Sequence, residues 1–150
     1  NSVIIGWPLG IEVDGTTGTA TSANVGTGLV LANIFLGGNT DSIKYSAPTG
    51  STYTTTDLVT YFKASTQANT ILNGTVPNNL FVQPFNYAAP DPTPFGNAAS
   101  IVGTISGTIT PRASFTHAKV ADAFFTPTNF IGAIAPSGAL ASWWKGWTRF

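Results

Sequence analysis

The chain has 150 residues, with six Lys and Arg balanced by six Asp and Glu, and only 8% of its residues are charged against 43% hydrophobic. A chain of this size is expected to bury one sizeable core, and charge so balanced and scattered gives no basic face for a nucleic-acid backbone. Absence of Cys excludes disulfides and thiol chemistry, and a lone histidine, His117, excludes a multi-histidine metal site.

The first element is "VIIGWPLGIEV", residues 3–13, which places Val3, Ile5, Trp7, Leu9, Ile11 and Val13 at every odd position. The residues between them are mostly small or turn-forming, so an extended strand here has one bulky face and one nearly bare face. Pro8 withholds a ladder hydrogen bond, and Gly6-Trp7-Pro8 is therefore expected to bend, separating two half-strands. A Gly- and Thr-rich tether, "DGTTGTATSANVGTG" (14–28), follows, and residues 29–150 are expected to form the main domain.

Within that domain "GLVLANIFLGG" (28–38) is apolar on both faces and bounded by glycines, as a strand buried on both sides requires. "GGNTDS" reads as a solvated turn, although Asn39 and Asp41 carry the oxygens a hard cation takes. "TDLVTYFKASTQANTILNG" has helical spacing through Leu58, Tyr61, Phe62, Ala68 and Leu72, with Thr56 to cap its start and Gly74 its end. Residues 51–62 also fit a hydroxyl-rich strand. "NLFVQPFNY" (79–87) is expected as an edge or bent strand because of Pro84, "YAAPDPTPFGN" (87–97) as a stiff surface loop, and "SIVGTISGTIT" (100–110) as a long strand. The predicted fold is all-β, a jelly-roll-like β-sandwich with at most one or two short helices and an extended N-terminal strand.

The chemical inventory points away from an enzyme. The acid nearest His117 is Asp122, five residues on, with no G-x-S-x-G elbow to expose a serine; Glu12 is the sole glutamate and the aspartates are scattered. No glycine motif cradles a phosphate, so no cofactor and no metal is expected. No run approaches the roughly 20 apolar residues that span a bilayer. The many Thr, Ser and Asn residues suit strands and equally suit a glycosylated exterior, with Asn73-Gly74-Thr75 as an acceptor triplet. The sequence lacks Met even at position 1, which predicts removal of a leader and an extracellular or cell-surface location.

The C-terminal stretch "AFFTPTNFIGAIAPSGALASWWKGWTRF" resembles a terminal signature of exported, β-rich bacterial surface proteins. The elements are Phe124-Phe125, the step Phe130-Ile131-Gly132-Ala133-Ile134, the turn Pro136-Ser137-Gly138, and Trp143 to Thr148; Phe130 and Ile134 depart from the Tyr and Phe expected there. The resemblance covers about 28 residues, carries no catalytic group and implies export. Trp143, Trp144 and Trp147 are expected mainly as core, the other use being a flat platform for sugar rings.

An alternating apolar strand followed by a flexible tether suits donation to a groove in a neighbouring subunit, a contact that repeats head-to-tail without closing. In design the chain resembles bacterial and archaeal extracellular fibre subunits built by strand donation. The expected function is a structural subunit of a pilus-like homopolymer whose donated strand, residues 1–13, contributes Val3, Ile5, Trp7, Leu9, Ile11 and Val13 to the subunit interface. The other expectation is a secreted carbohydrate-binding or adhesive module, with glycans as partners.

Overall fold

The computed structural model describes residues 1–16, 25–72, 81–83, 85–94 and 113–146. The chain divides into two compact units, one of residues 4–74 and one of residues 1–3 with 75–150. The division falls inside the first strand, between Val3 and Ile4.

Residues 4–74 form a small α/β fold. Strands β1 (Ser2–Ile5) and β2 (Leu9–Asp14) are followed by β3 (Ile34–Gly37), β4 (Asp41–Ser46), helix α1 (Thr55–Lys63) and β5 (Thr70–Leu72). β2 runs parallel to β4, and β3 parallel to β5, with β1 on the other edge of β3. Along β2 and β4 the alternation is regular: Ile11 faces Ile43 and Val13 faces Tyr45 on the core side, while Glu12 lies opposite Lys44 on the exposed side. Val13, Ile34, Leu36, Ile43, Tyr45, Leu58 and Phe62 make one buried cluster, with Ile4, Ile11, Val25 and Ile71 packed against it.

Helix α1 forms where Leu58 and Phe62, four residues apart, present one fully buried face. Thr54, not Thr56, caps it. The Thr54 hydroxyl accepts from the Asp57 N–H at 3.3 Å and the Asp57 carboxylate accepts from the Thr54 N–H at 2.7 Å, a reciprocal capping box. The Tyr45 N–H donates to the Thr55 hydroxyl at 3.0 Å, which ties the helix start to β4. The predicted continuation to Gly74 fails because Ala64 leaves helical geometry, residues 65–67 tighten into one 3-10 turn, and Asn69 takes over the local hydrogen bonding. Its Oδ1 accepts from the Ile34 N–H at 2.8 Å, and its Nδ2 donates to the carbonyls of Leu31 and Phe62 at 2.8 and 2.9 Å.

The described part of the other unit is dominated by turns. Its described strands are β6 (Phe81–Gln83) and β7 (Asp91–Pro94), antiparallel with an irregular register. β7 lies within the segment expected to be a loop. Pro92 and Pro94 are tolerated because, among the described residues, the ribbon pairs only two strands and each has a side without a ladder partner. Phe130, Ile131, Ala135 and Trp144 are buried, and a 3-10 turn spans Ala139–Ala141.

These elements overturn the predicted all-β sandwich. The described sheets have two or three strands, four of the strands pair in parallel, and a helix packs on β4. The both-faces-apolar run is the reason: of residues 28–38 only 34–37 are strand, all buried, in a parallel pair. The expected strand at 100–110, along with Pro84 and Gly74, lies outside the described residues. Among the described residues no helix is long and apolar enough to cross a membrane.

Candidate functional site

The N-terminal segment carries the chain's most directional features. Residues 6–8 bend between β1 and β2, with Gly6 at φ +74°, and Trp7 is 66% exposed. The bend is held by its backbone: the Gly6 N–H donates to the Gly37 carbonyl at 3.0 Å, and the Asp41 N–H donates to the Pro8 carbonyl at 2.8 Å. Asn39 completes the clasp by donating its Nδ2 to the Trp7 carbonyl at 2.9 Å. Asn39 is only 5% exposed, so the turn expected to be solvated is buried there, and its Oδ1 has no hydrogen-bond partner among the described residues.

The six residues named from the alternation therefore have different surroundings. Ile11 and Val13 belong to the core of residues 4–74, and Val13 is buried. Leu9 pairs with Asp41 at the start of β2. Ile5 reaches toward Gly37, where an added Cβ would meet its Cγ2 at 3.2 Å. Trp7 stands in solvent. Val3 lies over Gly132 in the unit of residues 1–3 and 75–150.

Residues 1–3 are seated on that unit by a short set of contacts. The Asn1 Nδ2 donates to the Ser114 carbonyl at 2.8 Å and its Oδ1 accepts from the Ser114 N–H at 3.0 Å, so one amide pairs with one peptide group. The Gly132 N–H donates to the Asn1 carbonyl at 3.3 Å. Gly132 has φ +87°, a conformation open to glycine, and a Cβ there would approach the Val3 Cγ2 to 3.0 Å.

An exposed ion pair joins β2 to β4 on the solvent side. The Lys44 ammonium bonds the Glu12 carboxylate at 2.8 Å, and the Ser46 hydroxyl donates to the same oxygen. Lys44 first, then Ser46, holds Glu12 below the ordinary carboxylate range, and Glu12 raises Lys44 in return.

His117 and Asp122 cap separate turns: the Lys119 N–H donates to the His117 Nδ1 at 3.2 Å and the Phe124 N–H to Asp122 Oδ1 at 2.8 Å. Among the described residues no three His, Cys, Asp or Glu side chains converge to hold a metal. Trp144 is buried at 8% exposure and its Nε1 donates to the Ala141 carbonyl at 3.0 Å. Trp143 departs from the expectation of burial at 49%, with its Nε1 donating to the Ala133 carbonyl at 2.8 Å. Asn73 and Trp147 lie outside the described residues.

The sequence named Asn39 only as a turn residue and Gly132 only within the C-terminal step, and it did not mark Ser114. A glycine between bulky neighbours in "FIGAI" signals close backbone approach. Ser114 contributes only its peptide group to Asn1, which leaves no trace in residue type. Comparison of the chain with protein-family models, with curated proteins and with solved structures finds no match.

Proposed function

We propose that the chain is a structural subunit of an extracellular filament, joined head-to-tail through its N-terminal segment. The observation that carries this reading is the break in that segment. Residues 2–5 and 9–14 are separate strands on either side of an exposed Trp7, and β2 is committed to its own core while residues 1–3 contact a different unit. The exchanged part is therefore within residues 1–5 rather than 1–13, since removing β2 would strip Ile11 and buried Val13 from the core, whereas β1 contributes only Ile4 to it.

Full burial of Val3, Ile4 and Ile5 is worth about 5–8 kcal/mol before ordering costs, and because the same burial is available within one chain, exchange between chains is set by concentration. The low charge, the hydroxyl-rich composition and the C-terminal resemblance support a cell-surface setting. Electron microscopy and size-exclusion chromatography of the full chain and of a form lacking residues 1–5 test the reading. Filaments are expected from the first and monomers from the second, with a peptide of residues 1–7 binding the shortened form. Compact monomers from both at high concentration would overturn it.

A further inference from the structure

We infer that the seat built by Ser114 and Gly132 is the receptor that takes the N-terminal strand of a second copy of this chain. The inference rests on the filament reading and names the acceptor that reading needs. Its occupant is set by what occupies it within one chain: residues 1–3 already make the contacts there, so an identical segment from a neighbour makes the same ones.

The seat is selective at two positions. The Ser114 peptide group offers one acceptor and one donor, and an Asn side chain matches both, with Nδ2 to the carbonyl and Oδ1 to the N–H. An Asp of the same shape offers only acceptors and faces the carbonyl with charge. Two positions along the strand, the missing Cβ of Gly132 leaves the space that the branched Val3 fills. Occupation within one chain competes with exchange at an effective concentration on the order of millimolar, so single subunits hold their own strand until local concentration is high.

Three full-length variants and a mixture test this. Gly132→Val closes the notch and strains a backbone at φ +87°, leaving a chain with a strand to give and no seat to receive one. Val3→Asp has the seat intact and a strand that no longer fits. Neither forms filaments alone, and together they form a one-to-one complex, which also shows that Gly132→Val is folded. Asn1→Asp raises the critical concentration for assembly about 10- to 100-fold by removing the hydrogen bond donated to the Ser114 carbonyl and setting a carboxylate against that carbonyl. Filaments from Gly132→Val or Asn1→Asp at the unmodified critical concentration overturn the receptor while leaving the filament reading standing. Absence of the mixed complex also overturns it. An unmodified chain that stays monomeric under all conditions overturns the filament reading itself.

Discussion

Residues 4–74 and the described part of residues 75–150 draw on similar apolar residues and place them in opposite ways. In the first, Leu36, Leu58 and Phe62 are fully buried in one cluster where a helix packs on β4, and Phe35 is buried as well. In the second, Val82, Phe85, Tyr87, Phe124, Phe125, Leu140 and Trp143 are exposed, Phe124 by 85%, its ring edge-on to that of Phe125 at 5.2 Å. Trp7 apart, the first region buries its large apolar side chains, whereas the described part of the second buries Phe130, Ile131 and Trp144 and leaves these seven in solvent.

The largest expected effect breaks or upholds that contrast directly. Phe62→Ala should lower unfolding free energy by about 3–5 kcal/mol in chemical denaturation, because a fully buried ring leaves a cavity. Phe124→Ser should stay within about 0.5 kcal/mol, its effect read instead as weaker self-association in sedimentation. Equal losses from both would erase the distinction. Next, Asn69→Ala should cost about 2–3 kcal/mol, since its amide satisfies the Ile34 N–H and the carbonyls of Leu31 and Phe62 at the edge of the first region's core.

The capping box gives a smaller effect. Thr54→Ala should cost about 1 kcal/mol by removing the hydroxyl that caps α1. The Thr54 hydroxyl, and then its N–H, bond to the charged Asp57 and hold it below the usual carboxylate value. A lowered folded value means the contribution is present above the unfolded pKa, about 4, and is lost as pH falls through the folded one. Denaturation midpoints followed downward from pH 6 should show this loss in the unmodified chain and less of it in Asp57→Asn. Smallest of all, Glu12→Gln should leave the midpoint at physiological salt unmoved, because the Glu12–Lys44 pair is open to solvent.

The two regions also differ in how far residue order announces them. Leu58, Tyr61 and Phe62 mark α1 because helical spacing is local, and Gly6-Trp7-Pro8 marks the bend because proline and glycine act on their own backbone. The parallel pairing of β2 with β4 is not local. Its partners lie about 32 residues apart, and alternation looks the same whether the neighbour runs parallel or antiparallel. The Asn1 pairing with Ser114 spans 113 residues and uses a peptide group any residue could supply. Asn39 lay in plain view in a Gly-rich turn, yet its burial depends on the bend that folds over it.

The unmatched Oδ1 of Asn39 has a kinetic consequence. A buried acceptor without a partner carries a desolvation penalty of about 1–3 kcal/mol, which water relieves as soon as residues 6–8 lift away. Opening the bend therefore costs less than its three clasping hydrogen bonds indicate, and it occurs as a local fluctuation well below the threshold for unfolding the core. Amide hydrogen exchange checks this: the Gly6 and Asp41 N–H groups are expected to exchange faster than those of buried β3, the bend opening while the interior stays shut.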